Sequence, residues 1–135
     1  MSETIKLLVP GDPKYVSTVR LAVSSIANQA GLDMEAIEDI KVAVSEACNN
    51  IIVHGCIGDG EFQVICAVEK DRLEIVINDE GVGYDTKDYK KPNLDSPGEG
   101  GLGVFIIQAL MDDVEVESKV GIGTCIKMTK YISAV

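Results

Sequence analysis

The sequence predicts a two-layer α/β (α+β) sandwich in which a mixed, mainly antiparallel sheet carries helices on one face. Three observations lead there. Two long stretches, Lys14 to Ala30 and Asp33 to about His54, repeat apolar residues at helical spacing. Five short stretches read as strands, and glycine-bearing breaks separate the elements in the order β-α-α-β-β-loop-α-β-β. Helices with one apolar stripe and strands with one apolar face are both satisfied when the helices lie along one side of the sheet. A chain of 135 residues is the size of one domain and can bury a core without disulfides or metals, so residues 1–135 are read as a single domain.

The first strand is "TIKLLV", residues 4–9. "PGDP" stops it and offers Asp12 as an N-cap with Pro13 at the first helical position. In the helix that follows, Val16, Val19, Val23, Ile26, Ala27 and Ala30 fall at i, i+3, i+7, i+10, i+11 and i+14, and Gly31 closes it. Asp33 caps the next helix, where Glu35 and Glu38 supply the acidic first turn; Ile37, Ile40, Val44, Ala47, Cys48 and Ile51 repeat the same spacing up to Gly55. "EFQVICAV" (61–68) and "LEIVIND" (73–79) alternate as strands joined by a short loop, and they should pair antiparallel. Residues 84–100 have no periodicity and are rich in Gly, Pro, Asp and Lys, which reads as a long loop of the kind that is usually functional. "GLGVFIIQALMDD" is a short helix, and "VEVES" and "TCIKMTKYI" close the chain as a second hairpin across "KVGIG".

The totals exclude several classes of function. A net charge of -10 disfavours a direct nucleic-acid or anionic-membrane role, because such partners need a basic footprint. No apolar run approaches the ~20 residues that cross a bilayer, and the N-terminus has no basic region ahead of an apolar one, so a cytoplasmic protein is expected. Cys48, Cys56, Cys66 and Cys125 form no C-x-x-C pair and His54 is the single histidine; these cysteines read as reduced thiols packed as small hydrophobes.

Glu46, Asn49, Asn50 and His54 interrupt a segment otherwise apolar enough to be buried. At about 100° per residue, Glu46 and Asn50 lie one turn apart on one face, where a carboxylate and an amide oxygen can converge on one ligand. Magnesium usually borrows only one or two protein oxygens beside substrate phosphates, so Asn50 suits a metal and leaves Glu46 for base work; the plain alternative is the polar edge of an amphipathic helix.

The stretch "INDEGVGYD", Ile77 to Asp85, combines an acidic pair with two glycines. Two like charges about 4 Å apart repel by roughly 4 kcal/mol at an effective dielectric of 20, so Asp79 and Glu80 are poor neighbours for a phosphate. "GEGGLG", Gly98 to Gly103, is the better phosphate site, since it enters a helix whose unpaired N–H groups and dipole attract anions. "GIGT", Gly121 to Thr124, is most simply a hairpin turn.

Taken in order, E-x-x-x-N on a helix, D-x-G-x-G after a strand, G-x-G entering a helix and G-x-G-T before the last strand resemble the GHKL ATPase superfamily, which includes the histidine kinases. The resemblance implies its Bergerat fold, with ATP held between the helical layer and a lid. Within it, "YVSTVRLAVSSIA", "IEDIKVAVSEACNN", "EGGLGVFIIQALMDDVEV" and "MTKYI" are similar to the anti-sigma serine-protein kinases of the RsbW type. What that similarity implies is a homodimeric kinase that uses Mg-ATP (Mg2+ and ATP as cofactors) to phosphorylate a serine of a STAS-domain anti-anti-sigma antagonist, and that otherwise sequesters a sigma factor.

Carried over by residue, Asn50 would ligand Mg2+, Glu46 would act as general base or orient the attacking serine hydroxyl, and Asp79 would accept a hydrogen bond from the adenine amino group. Gly81 and Gly83 would clear room for the ring, Gly101, Leu102 and Gly103 would face the phosphates, and Thr124 would back the adenine. Lys87, Lys90 and Lys91 are lid candidates for phosphate contact. Arg20 is a candidate for meeting the acidic side of a partner, with a solvated surface arginine as the plain alternative. Two other readings stay open at this level: a non-catalytic nucleotide-gated sigma-binding module, and a switch-type kinase acting on scaffold STAS domains of stress complexes.

Overall fold

The computed structural model describes residues 2–54, 60–79, 101–119 and 123–132. Strand β1 (Glu3–Pro10) ends where proline and Gly11 break the ladder. Asp12 then accepts a hydrogen bond from the Lys14 N–H at 3.0 Å and caps a short 3-10 turn, Pro13–Tyr15, that leads into α1 (Val16–Ala30). The expected cap therefore acts one turn early, because Pro13 pre-sets the first φ of the tighter turn. Gly31 ends α1 at φ 96°, with its own N–H and that of Leu32 returned to the Asn28 and Ala27 carbonyls. A Cβ on Gly31 would touch nothing, so the positive φ alone demands glycine there. Asp33 caps α2 (Met34–His54) by accepting from the Ala36 N–H at 2.8 Å.

Strands β2 (Glu61–Val68) and β3 (Arg72–Asp79) form the expected hairpin. Helix α3 (Gly101–Leu110) precedes a second hairpin, β4 (Asp113–Lys119) and β5 (Gly123–Tyr131). The sheet order is β1-β2-β3-β5-β4, and all four described pairings are antiparallel, which narrows the expected mixed, mainly antiparallel sheet to an antiparallel one. Two helices between β1 and β2 bring the chain back to the end it left, so β2 runs back along β1. Likewise β5, the second arm of its hairpin, lies against β3.

One face of the sheet is the core. Leu73, Ile75 and Ile77 of β3, Phe62 and Val64 of β2, and Ile126 and Met128 of β5 alternate toward α2, which meets them with Ile40, Val44, Ala47 and Ile51. Each such side chain, fully removed from water, contributes about 1.5–3 kcal/mol. The opposite face carries Arg72, Glu74 and Lys127, with Arg72 Nε 3.1 Å from Glu74 Oε1; partly exposed pairs of this kind are worth about 1 kcal/mol or less. Among the described residues no helix is long and apolar enough to cross a membrane.

Two core thiols carry a pH signature. Burial pushes Cys48 up from the ordinary 9.0 to about 12 and Cys66 to about 11. The folded chain thus keeps protons that the unfolded chain loses above pH 9.0, so this contribution is complete below pH 9.0 and fades as pH climbs toward 11. Urea midpoints measured from pH 7 to 11 should show the parent losing more stability above pH 9 than the Cys48→Ala, Cys66→Ala variant, whose midpoint at pH 7 is lower through lost packing.

Candidate functional site

The site is built on α2. Its apolar face is committed to the sheet, and Glu46 and Asn50, one turn apart, sit at the edge where α3 packs. Glu46 is half-buried and Asn50 is buried, 7 % exposed. The Asn50 Oδ1 has no hydrogen-bond partner among the described residues. A buried acceptor left in that state costs about 1–3 kcal/mol, so the atom is one that a ligand would complete. A neutral amide oxygen beside a carboxylate fits a hard cation, and among the described residues no three His, Cys, Asp or Glu side chains gather to enclose one.

Helix α3 runs antiparallel to α2, and two contacts fix that arrangement. At the start of α3, the position that a Cβ on Gly103 would take is 3.3 Å from Glu46 Oε2. At its end, Lys130 Nζ donates to the Leu110 carbonyl at 2.6 Å and lies 3.5 Å from Asp39 Oδ2, near the beginning of α2. About two turns of each helix separate the two contacts. The first turn of α3 therefore opens beside Glu46, with its N-terminus toward the end of α2 where Asn50 lies. Leu102, half-buried, is part of this turn.

Asp79 and Thr124 sit together at the same end of the sheet. The β3–β5 ladder closes at Asn78 opposite Cys125, one residue short of both, and Asp79 also pairs with Phe62 on β2. Both are buried on the helix face, Asp79 at 8 % and Thr124 at 1 % exposure. The Thr124 hydroxyl is held by the Ser118 hydroxyl at 2.8 Å, across the β4–β5 hairpin. Helix α2 packs against β3, β5 and α3, so it is the wall shared by the Asp79–Thr124 end and the Glu46–Gly103 contact.

Sequence reasoning did not single out Ser118 or Lys130. Counting back symmetrically from the hairpin turn would have paired Ser118 with Thr124, whereas Lys130 lies in an alternating strand with no mark of its role. Gly81 and Gly83, Glu80, the loop 84–100 with Lys87, Lys90 and Lys91, the cluster from Gly98 to Gly100, the turn at Gly121, and Gly55 and Cys56 all lie outside the described residues. Arg20 is half-buried on α1 beside Leu21, which is 67 % exposed.

Residues 9–130 match the family model of the histidine kinase-like ATPase domain. The chain is 39% identical over 148 residues to the serine-protein kinase RsbW of Bacillus pumilus (strain SAFR-032), covering 98% of this chain and 90% of that one. It is 40% identical over 143 residues to the serine-protein kinase RsbW of Listeria monocytogenes serotype 4a (strain HCC23), with the same two coverages, 98% and 90%. Among solved structures, the RsbU and RsbW domains of a Mycobacterium tuberculosis protein superpose with a TM-score of 0.73 at 20% identity, over 98% of this chain and 33% of that one. The histidine kinase domain of a blue-light activated kinase from Erythrobacter litoralis gives 0.60 at 21% identity, over 91% and 61%. These two likenesses concern the fold.

The Ser118–Thr124 pair gives a direct test of how this end of the sheet is held. Ser118→Ala strips the Thr124 hydroxyl of its partner in a place water does not reach, and should cost about 1–3 kcal/mol in urea unfolding. A change within a few tenths of a kcal/mol would mean that the pair is not holding Thr124.

Proposed function

The chain belongs to the histidine kinase-like ATPase domain family, and on that premise we propose that it is an anti-sigma factor and serine-protein kinase that works with Mg-ATP. Its substrate is a serine of a STAS-domain anti-anti-sigma antagonist, and it otherwise sequesters a stress-response sigma factor. It acts in the cytoplasm as a homodimer. The observation that carries the reading is the α2–α3 edge, where the Glu46 carboxylate and the first turn of α3 converge and, one turn further along α2, the buried Asn50 oxygen has no partner among the described residues. A purely sequestering module has no use for that convergence, and the relatives that share 39–40% of the sequence bear the name of serine-protein kinases.

Each residue then takes a part. Asp79, a buried carboxylate at a strand end, accepts the adenine amino group, Thr124 backs the ring, and Gly81 and Gly83 leave it room. The N–H groups of Gly101, Leu102 and Gly103 face the phosphates. Asn50 Oδ1 would hold the magnesium ion, which when bound neutralises phosphate charge. Glu46 takes the proton of the serine hydroxyl as its oxygen attacks the γ-phosphorus; the bond from that phosphorus to the β–γ bridging oxygen breaks and ADP leaves. Phosphoryl transfer of this kind asks mainly for positioning and charge neutralisation. Arg20, beside the exposed Leu21, offers a basic and apolar contact to an acidic partner surface.

Labelled Mg-ATP with the STAS antagonist should give phosphoserine, and absence of label with folded partners would sink the kinase half. Asn50→Ala should abolish metal-dependent nucleotide binding. Glu46→Ala should bind ATP normally and transfer about 10²–10⁴-fold more slowly, the usual size of a general-base contribution. Asp79→Asn should weaken ATP binding by about 10- to 100-fold, the equivalent of one hydrogen bond to a charged group; unchanged affinity would remove Asp79 from the adenine site.

A further inference from the structure

The space beside Gly103 on its Cβ side is already filled, and what fills it is the Glu46 carboxylate. An oxygen 3.3 Å from a would-be Cβ is closer than an ordinary carbon–oxygen contact, so the carboxylate leans on the bare backbone of α3 in its first turn. A phosphate entering from that side would meet a like charge at contact distance. The N–H groups of a first helical turn point along the axis rather than along the Cβ direction, so this contact does not take them from a phosphate at the helix start.

We propose that Gly103 is a positioning residue for Glu46: its missing side chain lets the carboxylate seat against the first turn of α3, while its backbone N–H keeps the part already given to it. The proposal rests on the reading of Glu46 as the base. Three properties support it. Glutamate has three rotatable side-chain bonds and Glu46 is only half-buried, so burial alone does not select one orientation. The first turn of a helix attracts a carboxylate through its dipole and free N–H groups, which favours the seated rotamer. Lys130 holds the far end of α3 on α2, so the helix cannot slide to relieve the contact. A methyl at position 103 would push the carboxylate back by a few tenths of an ångström or more and turn its oxygens off the path of the serine proton.

The test is a double-mutant cycle on the full chain with labelled Mg-ATP and the STAS antagonist, comparing the parent, Gly103→Ala, Glu46→Gln and the double variant. Single-turnover rates and ATP Kd are measured for each. Gly103→Ala should keep ATP Kd within threefold and lower the rate at least tenfold. In the Glu46→Gln background the same change should alter the rate by less than twofold, because the group that Gly103 positions is already disabled. Alanine is the better helix former, so the thermal midpoint of Gly103→Ala should not fall. A tenfold or greater loss of ATP affinity in both backgrounds would assign the missing side chain of Gly103 to the phosphates and overturn the proposal. So would an unchanged rate, or a loss that multiplies with that of Glu46→Gln. If Glu46→Gln alone transferred at the parental rate, the base reading itself would be wrong, and that variant reports it separately from the cycle.

Discussion

The constraint on which the rest of the site depends is the antiparallel seating of α3 on α2, pinned at both ends. Lys130 bonds a last-turn carbonyl of α3, where a cation also complements the negative end of the helix, and a hydrogen bond to a charged group contributes about 1.5–3 kcal/mol. Gly103 permits contact at the other end. A slip of one residue would move α3 by about 1.5 Å and turn it by about 100°, which brings Leu102 or Val104 against the carboxylate and carries Leu110 away from the lysine. Register between the two helices is therefore sharply set, and with it the relation of Glu46 to the first-turn N–H groups.

The sheet supplies the second fixed frame. Because β5 rather than β4 lies beside β3, Asp79 and Thr124 finish at one end of neighbouring strands, next to the half of α2 that bears Asn50. The opposite end is closed by a separate set of bonds. The Asp112 carboxylate accepts from the Tyr131 N–H at 2.7 Å, the Tyr131 hydroxyl donates to Asp113 at 2.7 Å, and the Ile132 N–H reaches the Asp71 carbonyl. These bonds close the end that carries no candidate chemistry, and the other end holds the candidate side chains. Among the described residues the buried Asn50 oxygen has no hydrogen-bond partner.

Much of this was legible in the chain, for identifiable reasons. Helical spacing placed the buried faces of α1 and α2 because each helix leaves one face to solvent, and Gly31 and Asp33 act as cap residues through local geometry that needs no tertiary information. At Asp12 the cap and the proline stand as expected, but they open a 3-10 turn ahead of the α-helix. What periodicity could not supply was everything decided between elements. The place of β5 beside β3, the reach of Lys130 to Leu110, and the filling of the space at Gly103 depend on which surfaces meet. Gly103 shows the limit well: from sequence, a glycine entering a helix reads as a backbone N–H facing phosphate, and only the packing reveals that a carboxylate lies on its Cβ side.

The charges at this end of the molecule divide by element, which explains how a chain of net charge -10 can be suited to a polyanion. Asp79 and Glu46 are separate carboxylates, one at a strand end and one on α2, and the oxygen one turn beyond Glu46 is that of a neutral amide. Had an aspartate stood at position 50, a second negative charge would lie one turn from Glu46 in a poorly hydrated place, and the two would repel whenever no cation was present. An asparagine avoids that repulsion but binds a bare divalent ion weakly, since hard cations need several oxygens and gain most from charged ones. A metal seated on Asn50 would therefore arrive with the triphosphate that completes its oxygen shell. On the proposed reading, the same neutral side chain leaves the Glu46 carboxylate free for proton transfer, so ion and base would not compete for one group.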